Sequence, residues 1–88
     1  LGINTAELTM TDQKIMMECD TCSKKFQFGP HQYEGRVINL YGITVCDTCW
    51  TGNWDGWAPH FEPIIQKHLA EKNLPEPPRN NKGWLPRD

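Results

Sequence analysis

No run of ~18 apolar residues occurs in this chain, so no membrane-spanning helix is expected. No basic segment leading into an apolar stretch marks a secretory signal at the N-terminus. A basic excess is also missing: 11 acidic residues against 9 basic ones leave a net charge of −2. Lys24-Lys25 and the lysines at 67 and 72 are short groups diluted by acids, unlike the basic face of a dedicated nucleic-acid binder. Aliphatic side chains are scarce, while 7 Gly and 7 Pro interrupt the 88 residues. Such a length makes one domain at most. A core this small contributes only about 3–5 kcal/mol, so a staple is expected. No glycine loop for phosphate and no nucleophile–base pair stands out. Neither a small-molecule substrate nor an enzymatic activity is therefore expected.

Cysteine is sparse but ordered. The four cysteines fall into two Cys-x-x-Cys pairs, Cys19 with Cys22 and Cys46 with Cys49, separated by 23 residues. Two such pairs place four thiolates around one tetrahedral ion, and one Zn²⁺ per chain is the expected occupant. The central gap exceeds the usual ~15–20 residues of such sites, and a hairpin fills it. Four thiolates close the coordination shell and leave no position for substrate or activated water. On this reading the metal is structural. Its apparent binding free energy, roughly 10–16 kcal/mol, exceeds every other stabilising contribution. Alternatives are iron in a rubredoxin-like site, two disulfides, or a dithiol redox switch. Rubredoxins resemble the chain in their two Cys-x-x-Cys turns, but glycine follows each second cysteine there, where Ser23 and Trp50 stand here. Without a secretory signal the chain reads as intracellular and cytoplasmic, where thiols stay reduced.

Along the chain, residues 1–15 read as a flexible, polar N-terminal segment. Residues 1–9 precede Met10-Thr11-Asp12-Gln13, which reads as a natural start, and they carry no weight in the functional reading. A zinc-binding domain is expected over 16–73 and a Pro-rich irregular tail over 74–88. The apolar run Ile15-Met16-Met17 predicts a strand entering a metal-binding turn at Cys19. Phe28-Gly29-Pro30 reverses the chain. Val37, Ile38, Leu40, Tyr41, Ile43 and Val45 predict a hairpin over 33–45 that turns near Asn39 to Gly42 and delivers Cys46. Trp50, Trp54, Trp57 and Phe61 are spaced as one helical face. Gly52, Gly56 and Pro59 confine that helix to a short segment from about Asp47. A firmer helix is expected from Glu62 to Lys72. Pro63 sits early in it, and Ile64, Ile65, His68 and Leu69 form its buried stripe, with Asn73 as its cap. Leu74 to Arg79 favours polyproline II, and Trp84-Leu85 is the one anchor pair of the tail.

The 4 tryptophans carry two readings. Large rings cover a metal site and fill a small core. Alternatively Trp50, Trp54 and Trp57, with His60 beside them, form an exposed aromatic groove that accepts a peptide or stacks unpaired bases. His31 is expected to be exposed, and His68 to be a packed, hydrogen-bonded core histidine.

Knuckle, hairpin, second cysteine pair and helix together resemble the treble-clef class of zinc fingers over about residues 16–60. The stretch Tyr41-Gly42-Ile43-Thr44-Val45-Cys46-Asp47-Thr48-Cys49 is similar to the hairpin strand that feeds the second ligand pair in such modules. The resemblance implies a small α+β fold: a zinc-stabilised knuckle and β-hairpin followed by an α-helix. Zinc ribbons are the alternative, and there a strand follows the second pair. His-Asn-His nucleases also embed their site in a treble clef, but Trp50 stands where a histidine commonly follows the second pair. The expected function is a small zinc module that binds a protein partner. Nucleic-acid binding is the alternative, with a nuclease relic or a thiol switch behind it.

Overall fold

The structure, a computed structural model, describes residues 13–88. Of the expected lead-in over 1–15, residues 1–12, including the start at Met10, lie outside the described residues.

Strand β1 (Met16–Glu18) pairs antiparallel with β2 (Lys25–Gln27), with Met17 opposite Phe26. The turn between them carries Cys19 and Cys22. The chain then reverses through Gly29 and His31, both in the left-handed region (φ 100 and 70). A bridge between Phe28 and Tyr33, with their rings edge to face at 5.0 Å, closes that reversal. β3 (Gly35–Ile38) and β4 (Ile43–Cys46) form the expected hairpin, turning over Asn39 to Gly42. Among the described residues the strands make two separate two-stranded sheets. Their approach requires glycine at 35. A Cβ there would stand 2.4 Å from the Phe26 ring and 2.4 Å from the Val45 carbonyl oxygen.

A short helix α1 (Asp47–Gly52) follows the second cysteine pair directly. The strand that a zinc ribbon would place there is replaced by this helix. Buried Asn53 ends it: its side-chain amide donates to the Cys49 carbonyl (2.8 Å), and its Oδ1 accepts the Ala58 N–H (3.1 Å). A 3₁₀ turn (Pro59–Phe61) leads into α2 (Glu62–Lys72), whose span and left-handed Asn73 cap (φ 55) match the sequence expectation. Of its expected stripe, Ile65 and Leu69 are buried and His68 is half-buried. Ile64 is exposed, because the helix presents only its 65/69 edge to the core.

Residues 74–88 contain no helix, yet they complete the interior. Leu85 is fully buried and bridges Trp57, whose N–H donates to the Leu85 carbonyl at 2.8 Å. The Tyr41 hydroxyl donates to the Pro86 carbonyl, and the Trp57 indole N–H to that of Arg87 (3.3 Å). Asn80 shapes the bend that brings the tail back. Its Oδ1 accepts the N–H groups of Lys82 and Trp84, and its amide donates to the Asp55 carbonyl. The core thus runs from Cys19 and Phe26 through Ile38, Tyr41, Ile43 and Val45 to Trp57, Ile65, Leu69 and Leu85.

Candidate metal centre

Two pieces of chain far apart in sequence each deliver two thiols. Cys19 leaves β1 and Cys22 lies in the turn behind it; Cys46 ends β4 and Cys49 sits in the first turn of α1. The first turn is tight. The Ser23 N–H donates to the Cys19 carbonyl (2.9 Å), the Cys19 N–H to that of Lys24 (2.8 Å), and Ser23 adopts φ 67. This winding directs backbone N–H groups at sulfur: those of Thr21 and Cys22 toward Cys19, and that of Lys24 toward Cys22.

Asp20 fastens this turn to the second hairpin. Its N–H donates to the Thr44 carbonyl (3.0 Å), and its Oδ2 accepts the Thr44 N–H (2.8 Å). The Cys46 N–H then donates to Cys19 Sγ across the junction at 3.3 Å. From a third side, His68 Nε2 lies 3.3 Å from the Asp20 carbonyl, which ties α2 to the same turn.

The resulting cluster has the dimensions of a tetrahedral thiolate site. All four Sγ atoms lie within 4.8 Å of one another. Cys19 and Cys49 sulfurs are 3.8 Å apart, and those of Cys22 and Cys46 are 3.7 Å apart. A metal–sulfur bond of about 2.3 Å gives a regular tetrahedron an edge of about 3.8 Å. A disulfide needs about 2.05 Å, so the four are free thiols placed for an ion. The donor set fits a soft or borderline tetrahedral metal such as zinc.

Electrostatics favour a cation in the middle. Burial raises the Cys19 thiol, but hydrogen bonds from Thr21 Oγ1 and from the N–H groups of Cys46, Thr21 and Cys22 outweigh it and hold the thiol at about 6. Burial pushes Cys49 up, and charge on Cys19 adds to that rise; Cys22 is also raised, chiefly by partial desolvation of its sulfur. With no cation the cluster favours one thiolate and resists the next. A divalent ion removes that repulsion and lets the remaining sulfurs ionise. Cys19, Cys46 and Cys49 are buried and Cys22 is exposed, so solvent reaches the centre from one side only.

Beside Cys22 and Cys49 lies a groove of ≈ 430 Å³, walled by Gly52, Asn53, Ala58, His60 and Phe61, with Lys24 at its rim. The aromatic set expected for a partner divides in three. Trp54 is 73 % exposed, and His60 is exposed and packs on Phe61 at 4.1 Å between ring centres. Trp50 is half-buried, with the Arg87 guanidinium over its ring at 3.7 Å and Arg36 at 5.4 Å. Trp57 does not reach the surface. Phe61 packs edge to face on it at 5.6 Å and the returning tail bridges it at Leu85, so a groove of three tryptophans does not form. The histidines lie on separate elements, and among the described residues none joins the cysteine cluster.

Sequence reasoning missed Asp20, Thr21 and Asn53. The only available signal was their type: short polar side chains beside ligands or at a helix end satisfy local N–H and C=O groups. No family model, no curated protein and no solved structure matches the chain.

Proposed function

We propose that the chain is a treble-clef zinc module: one structural Zn²⁺ held by Cys19, Cys22, Cys46 and Cys49 supports a surface that binds a protein partner. One observation carries the reading. Two distant stretches of chain, the β1–β2 turn and the junction of β4 with α1, bring four thiols together at the edge length of a zinc–thiolate tetrahedron. The order of turn, hairpin, ligand-bearing helix supports the treble-clef form over the ribbon. A shell closed by four sulfurs supports a scaffold rather than a catalyst.

The partner surface is the groove beside the metal, with exposed Trp54 on the segment that forms its wall. Its occupant is a peptide segment with a bulky apolar side chain, received between Ala58, His60 and Phe61. Engagement of all three arginines within the chain supports a protein rather than nucleic acid. Arg79 pairs with Glu62, Lys82 with Asp55, and Arg36 and Arg87 lie over Trp50.

Native mass spectrometry before and after a strong chelator tests the metal. One zinc per chain, with unfolding on its removal, is the expected result; a folded chain without metal overturns it. Peptide display against the zinc-loaded chain tests the partner. Selected peptides should lose binding in Trp54→Ala and Phe61→Ala. Failure to select any, combined with single-stranded DNA binding that falls steeply with salt, would move the function to nucleic acid.

A further inference from the structure

The segment Leu74-Pro75-Glu76-Pro77-Pro78-Arg79 is confined by its own sterics. Each proline fixes its φ near about −65°, and residues 74, 76 and 77 each precede a proline, which removes the helical region from them. No helix or strand is present over 74–80. The Leu74 N–H donates to the Leu69 carbonyl (3.0 Å) and the Asn80 N–H to that of Trp84 (2.8 Å); the backbone between makes no such bond. Polyproline II lacks internal hydrogen bonds and repeats every three residues.

Burial follows that repeat. Leu74 and Pro77 are half-buried, and Pro75 and Pro78 are exposed. Glu76 and Arg79 turn to α2, where Gln66 Nε2 donates to Glu76 Oε1 (3.0 Å) and both terminal nitrogens of Arg79 reach the Glu62 carboxylate. One face of the segment therefore rests on the domain, one is tied to α2, and the Pro-x-x-Pro face looks outward.

We infer that residues 74–79 are a preformed polyproline II ligand, presenting Pro75, Pro78 and Arg79 to an aromatic-lined groove of a partner protein with an acidic residue at its end. Domains of the SH3, WW and EVH1 kind read such segments between aromatic rings. Holding the segment in its bound shape removes much of the ordering cost of recognition. The Arg79–Glu62 pair lies at the surface, so exchanging Glu62 for an acid of the partner costs little. This surface is separate from the groove beside the metal: there the chain receives a peptide, and here it is the ligand.

The test titrates the ¹⁵N-labelled, zinc-loaded full chain with three purified domains, one SH3, one WW and one EVH1. At least one should shift the amides of Glu76, Arg79, Glu62 and Gln66. Pro75→Ala and Pro78→Ala should each weaken that binding about tenfold or more. Both prolines are exposed, so unchanged zinc stoichiometry and unchanged amide positions elsewhere verify that these variants fold. Glu62→Gln, which frees Arg79, should tighten binding severalfold. No shift from any of the three at about 1 mM, or binding indifferent to both proline variants, overturns the inference. A chain that binds one of these domains yet holds no zinc would refute the metal reading and leave this one standing.

Discussion

Truncating Leu85 to alanine separates a tail that belongs to the core from one that merely follows it. Leu85 has no exposed surface and sits against the equally buried Trp57. The backbone bond from the Trp57 N–H to the Leu85 carbonyl survives the substitution, so the loss is one of packing. Buried Leu→Ala changes cost about 2–5 kcal/mol, depending on how far the site can collapse. Collapse is obstructed here, because the flanking backbone is held at Pro86 by Tyr41 and at Arg87 by the Trp57 indole. The upper half of the range, about 3–5 kcal/mol, is therefore expected. In a domain of this size each kcal/mol lowers Tm by roughly 4–8 °C, so a drop of about 12 °C or more follows. The assay is urea unfolding read by tryptophan fluorescence, at fixed free zinc because bound metal raises apparent stability by mass action. A loss under about 1 kcal/mol, well below the normal range for a buried leucine, would show that the tail does not pack as described.

Gly35→Ala drives a methyl group against the Phe26 ring and the Val45 carbonyl oxygen. A destabilisation of about 1–3 kcal/mol is expected from overpacking, measured by urea unfolding. Tyr41→Phe removes the hydroxyl donor to Pro86 and should cost about 1 kcal/mol in the same assay, with zinc content unchanged. Cys46→Ser removes a ligand and the hold on Cys22; native mass spectrometry should find zinc binding lost or weakened by orders of magnitude. Acid should loosen the attachment of Arg79. Its guanidinium holds the Glu62 carboxyl below the ordinary value of 4.5, so this contribution is complete above 4.5 and disappears as pH falls through the lowered folded value. The stability difference between wild type and Glu62→Gln should therefore shrink over that window, and a difference that grows toward acid would reverse the assignment.

The parts of this fold that local chemistry specifies are legible in the sequence. Glu62 to Lys72 can be bounded residue by residue, because Pro63 suits a first turn and Asn73 readily takes the left-handed cap. The hairpin over 35–46 follows from its β-branched run and Gly42, and the four-cysteine cluster follows from cysteine spacing alone. The glycines at 52 and 56 mark this helix as short, but the spacing of Trp50, Trp54, Trp57 and Phe61 misleads about exposure, because spacing says nothing of what later covers a ring. Helix α1 ends at Gly52, and Trp57 then enters the core under a segment almost 30 residues later. No local pattern at Leu85 announces that partner. The same holds for Asp20, whose value lies in meeting Thr44 across the molecule.

Strands of three or four residues and a six-residue helix cannot persist alone. Their order must come from cross-links between distant residues, and two sets of these share the same stretch of chain. The four-cysteine cluster joins 19–22 to 46–49, while the returning tail is held at Tyr41, Trp50 and Trp57. Residues 41–57 belong to both closures: β4 and α1 carry Cys46 and Cys49, and they stand between the two tail anchors, Tyr41 and Trp57. On the proposed zinc reading, removing the ion would free Cys46 and Cys49 and so loosen the surface on which Pro86 and Arg87 rest. The reverse coupling is equally direct, since a detached tail uncovers Trp57 and removes Arg87 from the Trp50 ring and carbonyl. A small core of this kind gains order where its cysteine cluster and its chain closure overlap, because each then restrains the short elements that the other needs.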